Sequence, residues 1–225
     1  MTEPLTDTLR RLYTDPAEYI DSDHSAVQAF AADHAAEDAR ATASHLYKAV
    51  RDGIRYQPYV DMGDAETFRA SSVLAKGFGY CVGKAALYAA ACRVNGIPAR
   101  VGFADVKNHL TTKKLTERMG TDLFAWHGFT EVFIDGAWRK ATPTFNASLC
   151  EKLGVSPLDF DGHADALLHP FDGEGRAYMS YETIHGAFHD VPTRFLQREM
   201  ARFYPRMVGA EAGDSDMERE AAAQA

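Results

Sequence analysis

A glycine-punctuated loop followed by an alanine-rich helix constrains this chain more than any other feature. The stretch from residue 77 to residue 100 surrounds Cys81 with glycines and then continues in small apolar residues. This pattern predicts that Cys81 lies in the first turn of a helix, that Gly96 ends the helix in a left-handed conformation, and that a strand begins at Pro98. Unpaired N–H groups and the positive end of the helix dipole favour a thiolate at such a position. Cys81 is therefore the first candidate nucleophile.

The charge balance and the hydropathy pattern limit the classes of function. The 225 residues carry 32 acidic and 24 basic side chains, for a formal net charge of −8. Because binding to phosphates needs concentrated lysine and arginine, this balance argues against a nucleic-acid partner. No apolar run approaches membrane-spanning length, and the N-terminus lacks the regions of a signal peptide, so we expect a cytoplasmic protein without a membrane partner. We expect one domain over residues 1–208 and an acidic, disordered tail over 209–225.

The cysteines and the acidic clusters do not indicate cofactor chemistry. Cys81, Cys92 and Cys150 match no zinc spacing, and we expect all three to be reduced thiols. Cys92 is expected to be a small, buried, apolar residue of the helix. The acidic residues between positions 159 and 165 do not follow the spacing of a calcium loop. The glycines around Cys81 also lack the lysine and hydroxyl pattern of a phosphate-binding loop. We expect no metal and no cofactor.

A second informative stretch predicts a β-hairpin that carries a histidine. Two runs of alternating residues flank the turn pair Asp135-Gly136, which is typical of a two-residue hairpin turn. With this turn, Glu131 pairs with Lys140. Thr142 then shares a face of the hairpin with His127 and lies diagonally from it, within reach of a side-chain contact. The hairpin therefore presents an oriented imidazole.

Cys81 and His127 together suit thiol chemistry, because a cysteine nucleophile needs a base within hydrogen-bond reach. Each residue lies in a local setting that fits its role, one at a helix start and the other on a strand. Tyr56 and Gln57, in a short extended segment, and Tyr80, beside the nucleophile, are candidates to line the cleft or to stabilise an oxyanion. The alternative is that the segment of Tyr56 and Gln57 is only a connector.

The remaining chain predicts helices and strands around these two stretches. A long connector over residues 107–123 either caps a site or is a solvated excursion. The other predicted elements are a helix from Ser22 onward, a helix from about Glu37 to Arg51, a strand from Ala99 to Val106, a helical turn from Leu115 to Met119, a strand from Tyr178 to Ile184 and a helix near Arg194 to Phe203.

Short motifs in a fixed order resemble the core of the transglutaminase-like superfamily over about residues 50–146. The resemblance implies an α+β, papain-like fold, in which the nucleophile helix packs on an antiparallel β-sheet behind N-terminal helices. It also implies that Cys81 is the nucleophile and His127 the base of a catalytic triad. The motifs are Gly79-Tyr80-Cys81-Val82-Gly83-Lys84-Ala85, Gly96-Ile97-Pro98-Ala99-Arg100, Trp126-His127, Glu131-Val132, Gly136-Ala137-Trp138 and Thr142-Pro143-Thr144.

The sequence departs from the superfamily pattern at the third member of the triad. The usual residue directly before Pro-Thr is an aspartate, whereas this chain has Thr142. A threonine hydroxyl can accept a hydrogen bond from the imidazole, but it does not stabilise an imidazolium as a carboxylate does. Asn146, Asp161 and Asp165 are the alternative third members. Either Thr142 is sufficient, or one of these residues replaces it, or the activity is attenuated or lost.

The resemblance implies cysteine-dependent acyl transfer on amide or peptide bonds through a thioester on Cys81. Water as the acceptor makes the protein a peptidase or amidase, and an amine makes it a transglutaminase-like acyltransferase. The compact chain lacks the additional domains of cross-linking enzymes, which favours hydrolysis of a peptide or protein amide. The alternative function is a catalytically weak or inactive binding module that retains the cleft.

Overall fold

A four-stranded antiparallel sheet and one buried helix form the centre of the computed structural model, which describes residues 5–108, 111–167, 179–209 and 215–224. The helices are α1 (Asp7–Leu12), α2 (Ser25–Asp33), α3 (Ala39–Gly53), α4 (Ala70–Lys76), α5 (Cys81–Val94), α6 (Lys113–Met119), α7 (Ala147–Leu153), α8 (Thr193–Phe203) and α9 (Met217–Gln224). The strands are β1 (Arg55–Tyr56), β2 (Phe78–Gly79), β3 (Ala99–Asn108), β4 (Leu123–Ile134), β5 (Ala137–Ala141) and β6 (Met179–Phe188). The large sheet has the order β5-β4-β3-β6, and β1 pairs with β2 in parallel. This architecture confirms the predicted α+β class.

Helix α5 is buried along nearly its whole length, and the small size of its side chains makes this possible. Every residue from Cys81 to Arg93 is buried, and α2, α3, α4, β3 and β4 all pack against the helix. Small side chains let neighbouring elements approach an axis closely. The helix ends as predicted, because Gly96 has φ +69°. Cys92 is fully buried, as expected of a small apolar residue.

A close backbone contact brings strand β4 against the first turn of α5. A Cβ atom on Gly128 would lie only 2.7 Å from the Cα atom of Val82. Two residues further along β4, the hydroxyl of Thr130 donates a hydrogen bond of 2.9 Å to the carbonyl oxygen of Ala85. Since side chains alternate along a strand, Gly128 and Thr130 share the face of β4 that meets the helix. Gly128 therefore permits the approach that places β4 beside Cys81.

The predicted hairpin register is confirmed. Strands β4 and β5 pair antiparallel, with Glu131 opposite Lys140 and Ile134 opposite Ala137. Asp135 and Gly136 form the turn with φ values of 51° and 78°, as a tight hairpin turn with two left-handed residues requires. Strand β5 ends at Ala141, so Thr142 lies just beyond the paired part of the hairpin.

Helices α2, α3 and α4 pack against α5, and hydrogen bonds from two side chains of α5 hold α3 in place. The hydroxyl of Tyr88 donates to the carbonyl oxygen of Ala43 at 3.0 Å. The ammonium group of Lys84 donates to the carbonyl oxygens of Arg51 and Ile54, at the C-terminal end of α3. Burial lowers the pKa of Lys84 to about 7. Lys84 therefore acts here as a cap for α3, whose unpaired carbonyl groups it satisfies.

The expected disordered tail is wrong for residues 215–224, which form the docked helix α9 and the two residues before it. Met217 and Ala221 of this helix are buried. The acidic residues that suggested a solvated tail instead meet basic residues of the domain. The ion pairs are Asp216 with Arg55, Glu218 with Lys152, and Glu220 with Lys114. Within the described ranges, no helix has the length and apolar character to cross a bilayer.

Candidate active site

Cys81 is the first residue of α5, and its thiol is almost completely buried. Only 6% of the residue is exposed. Tyr80 caps the helix without a side-chain hydrogen bond to the first turn. Burial raises the pKa of Cys81 to about 11, although hydrogen bonding from the backbone N–H groups of Gly128 and Val82 opposes this rise. The expectation of a resting thiolate is therefore wrong for this closed structure, because loss of hydration outweighs the favourable helix terminus.

His127 lies on β4 directly before the glycine that contacts the sulfur. It pairs with Ala104 of β3, and it is 4% exposed. Burial lowers its pKa to about 4, so the imidazole is neutral near pH 7. Its Nε2 atom is buried and has no hydrogen-bond partner in the described structure. No hydrogen bond or ion pair joins the described side chains of Cys81 and His127. The pair at rest is therefore a neutral thiol and a neutral imidazole.

Two threonine hydroxyl groups near the end of the hairpin are also buried without a partner among the described residues. Thr142 and Thr144 are 2% and 1% exposed, and both Oγ1 atoms lack a hydrogen bond. The backbone of Thr142 is fixed, since its N–H donates to Ala166 and its carbonyl oxygen accepts from the hydroxyl of Tyr47. The hairpin register, continued beyond β5, assigns both threonines to the same face as His127. Unpaired buried polar groups are costly. The Oγ1 atoms of Thr142 and Thr144 therefore have unused hydrogen-bonding capacity on the face of His127.

The three alternative third members have other partners. The Asn146 side chain accepts from the Tyr56 N–H and donates to Ser148 and Glu218. The Asp161 carboxylate accepts from the backbone N–H of His163, and Asp165 accepts from the N–H of Lys140. None of these described hydrogen bonds goes to His127. Among the candidates, Thr142 is the one that the hairpin register assigns to the face of His127.

The structure separates the three cleft candidates. Tyr56 and Tyr80 line a pocket together with Cys81, whereas Gln57 does not. The amide of Gln57 donates to the carbonyl oxygen of Ser215 at 3.2 Å and accepts from the N–H of Tyr59 at 3.3 Å. The Tyr80 hydroxyl is buried and has no described partner, and burial raises its pKa well above the ordinary value. Gln57 thus has a structural role here, while Tyr80 presents an unused donor in the pocket that contains the thiol.

The pocket at Cys81 is narrow and apolar. It encloses a cavity of about 30 Å³, which is room for roughly one water molecule. Leu115 and Met119 of α6 line one part of it, so this portion of the 107–123 connector borders the site. Met200, Tyr204 and Met207, here called the roof, line another part and come from α8 and the residues after it.

A tyrosine of the roof is attached to β4 just before the histidine. The Tyr204 hydroxyl donates to the carbonyl oxygen of Leu123 at 2.7 Å and accepts from the N–H of Ala125 at 2.5 Å. The roof residues were not predicted from the sequence. The available signal is the amphipathic spacing of α8, in which Leu196 and Met200 are buried on one face. That pattern indicates a packed helix but does not identify its position over the cysteine.

A helix that begins at a cysteine, packed on an antiparallel sheet with a buried histidine beside it, defines a papain-like α+β fold. Residues 16–143, more than half of the chain, match the family described as the transglutaminase-like superfamily. The chain belongs to this superfamily, which supports a cysteine-dependent activity in general terms.

One solved structure is also similar to this chain. It is described as a "putative cysteine protease" from Cytophaga hutchinsonii, with a TM-score of 0.48 and 19% sequence identity. The match covers 81% of this chain and 55% of that protein, so this chain spans about half of its length. No curated protein matches the chain.

Proposed function

We propose that this protein transfers acyl groups from amide or peptide bonds through a thioester on Cys81, with water as the favoured acceptor. The observation that carries the proposal is the contact between the start of α5 and β4. The backbone N–H of Gly128 faces the Cys81 sulfur, and His127 is the adjacent residue of that strand. Cys81 is then the nucleophile and His127 the base in a peptidase or amidase reaction.

The reaction begins from neutral groups. Once the imidazole of His127 has moved into hydrogen-bond reach of the thiol, the Cys81 sulfur attacks the carbonyl carbon, its proton passes to the imidazole, and an S–C bond forms. The N–H groups in the first turn of α5 stabilise the oxyanion. Collapse of the intermediate breaks the C–N bond, and His127 returns its proton to the leaving amine. Water, deprotonated by the same imidazole, then attacks the thioester, releases the carboxylic acid and restores the thiol.

Thr142 limits the rate in this proposal. Its hydroxyl, unpartnered in the described structure, accepts a hydrogen bond from His127 Nε2–H and holds the ring orientation after a small rotation of the side chains. It supplies no negative charge to the imidazolium that forms during attack. We therefore expect slower turnover than a carboxylate at this position would give.

The pocket favours an apolar substrate group beside the scissile carbonyl. Apart from the thiol and tyrosine hydroxyl groups, its side chains are aliphatic, thioether or aromatic, with four methionines among them. Methionine side chains adapt to irregular apolar shapes. The Tyr80 hydroxyl offers a single donor to a polar atom of the substrate. Since the cavity of about 30 Å³ is too small for an amino-acid side chain, substrate entry requires displacement of the roof.

Alkylation by iodoacetamide at neutral pH tests the proposal. We expect Cys81 to react about tenfold faster than the buried Cys92 and Cys150, as measured by peptide mass spectrometry over time. The preference should disappear in His127→Ala. An apolar peptide amide or activated ester should also leave an acyl mass on Cys81.

The second candidate function is a non-catalytic binding module. The closed pocket and the raised pKa of Cys81 favour it. Equal, slow alkylation of all three cysteines, unaffected by His127→Ala, would contradict acyl transfer and support this alternative.

A further inference from the structure

We propose that Asp105 and His185 are positioning residues that hold Trp126 in a strained conformation and thereby orient His127. The proposal rests on the proposed function, since it concerns how the base is aimed at the thiol. These three side chains, here called the clasp, come from three neighbouring strands of the sheet, β3, β6 and β4.

The first observation is a strained backbone directly before the histidine. Trp126 has φ +56°, in the left-handed region that bulky residues rarely adopt. The strand pairing shows its origin. Ala104 pairs with His127, but Val106 pairs with Phe124, so β4 contains one more residue than β3 between these two pairs. This is a β-bulge, and bulges are frequent beside active sites because they redirect a side chain.

The second observation is that β6 is also irregular at the same level of β3. Phe103 pairs with Gly186, whereas Ala104 pairs with Ile184, so His185 is an extra residue between the two pairs. Gly186 has φ +103°, a conformation available to glycine. The two irregular strands therefore flank β3, with Trp126 on one side and His185 on the other.

The third observation is that one carboxylate joins the two bulges. Asp105 Oδ1 accepts a hydrogen bond from the backbone N–H of Trp126 at 3.0 Å. The same oxygen lies 2.8 Å from Nε2 of His185. The imidazole of His185 stacks on the indole of Trp126, with ring centroids 3.9 Å apart and an angle of 18° between the planes. The clasp thus fixes both the backbone and the ring of Trp126.

The consequence for His127 follows from strand periodicity. Successive side chains point to opposite faces of a sheet, so a change of one residue in the pairing reverses the face of every later residue. His127 is the first residue of β4 in regular pairing with β3 after the bulge, so the conformation of Trp126 fixes the direction in which the backbone enters His127. Without the clasp, the strained Trp126 can relax, and the imidazole loses its fixed position on β4.

A double-mutant cycle tests the proposal through the alkylation rate of Cys81. Asp105→Ala should lower this rate about tenfold, because small displacements of a base cause losses of this order or larger. In the His127→Ala background, Asp105→Ala should have no further effect, since the clasp acts through His127. A merely structural role would lower the rate equally in both backgrounds, and that result would overturn the proposal, as would an unchanged rate in Asp105→Ala alone.

Two further, more conservative variants show whether a lower alkylation rate comes from lost positioning or from misfolding. His185→Phe retains an aromatic ring for stacking but removes the contact with Asp105, and we expect an intermediate loss. Asp105→Asn keeps an oxygen acceptor for the Trp126 N–H and should restore part of the rate. Glu182→Ala, an exposed acid on the same strand as His185, is the control and should leave the rate unchanged. An unchanged alkylation rate of Cys81 in His127→Ala alone would contradict the proposed function itself, and the positioning role would be contradicted with it.

Discussion

The α5–β4 core and the C-terminal region over the pocket are held in place by different means. The core lies inside the family match and relies on backbone proximity, with Gly128 against Val82 and Thr130 bonded to the helix. The C-terminal region, residues 179–209 and 215–224, lies outside that match. Away from the strand pairing of β6, side-chain contacts attach it to the domain, made both by buried apolar residues such as Leu196 and Met200 and by polar groups. Examples are the hydroxyl of Tyr204 and the ion pair of Glu218 with Lys152.

This difference suggests that one region determines the chemical step and the other determines substrate access to the pocket. Close backbone packing around a central helix resists local opening, whereas short elements near the chain end that are attached by side-chain contacts open at a lower free energy. In the proposed function, the core therefore fixes the nucleophile and the base, and the C-terminal region determines how often a substrate reaches them. Changes in the core should alter the reaction itself, and changes in the roof should alter entry.

The largest expected effect is a gain of activity in the core from Thr142→Asp. A carboxylate at this position stabilises the imidazolium of His127 during attack, which the hydroxyl does not do. We expect the rate of amide or ester hydrolysis to rise roughly tenfold to hundredfold, as measured by product release at saturating substrate. Because Thr142 is 2% exposed, the variant should also lose stability in a denaturant titration.

Thr142→Asn is the matched control, since it offers an amide oxygen to the imidazole without a charge. It should give little or no gain in hydrolysis. Equal gains in both variants would show that orientation rather than charge limits the reaction. No gain in either, with both proteins folded, would count against a catalytic role of His127.

A smaller effect is expected at the roof from Tyr204→Phe. The variant removes a hydroxyl that bonds to Leu123 and Ala125, but it keeps the ring. A net loss of about 1 kcal/mol from these two hydrogen bonds corresponds to roughly fivefold more frequent opening. We expect the alkylation rate of Cys81 to rise by about this factor, while that of Cys150 stays the same.

Tyr88→Phe is the control for the tyrosine variant. Its hydroxyl also makes a buried hydrogen bond, to the carbonyl oxygen of Ala43, but Tyr88 does not line the pocket. This change should destabilise the protein without raising the alkylation rate of Cys81. If both variants accelerate alkylation equally, then global unfolding rather than the roof controls access.

The core was predictable from the sequence because its constraints are local. The helix around Cys81, its end at Gly96 and the hairpin turn at Asp135-Gly136 each follow from residue types at short spacing. The electrostatic state of the site was not predictable in the same way. A helix start indicates a lowered thiol pKa, but the burial that raises the pKa of Cys81 to about 11 depends on distant residues of the roof.

The C-terminal region was partly predictable, and its errors have a common cause. The strand and helix were expected near their observed positions, β6 at Met179–Phe188 and α8 at Thr193–Phe203. The acidic residues of α9 were read as solvated because their basic partners lie far away in the sequence. Arg55, for example, precedes its partner Asp216 by 161 residues. Composition cannot reveal such long-range charge pairs, and the clasp at Trp126 depends on strand neighbours in the same way.

The smallest expected effect is the release of α9 by acid. For both Asp216 and Glu218, burial favours a higher pKa, but hydrogen bonds outweigh it and lower the pKa below the ordinary values of 3.8 and 4.5. A lowered folded-state pKa adds stability above the ordinary value, and this stability is lost as pH falls through the folded-state value. Hydrogen exchange of α9 should therefore accelerate below about pH 4, before that of α5 does. Glu218→Gln should weaken this pH dependence, whereas simultaneous acceleration of α5 and α9 would contradict the separate attachment of the C-terminal region.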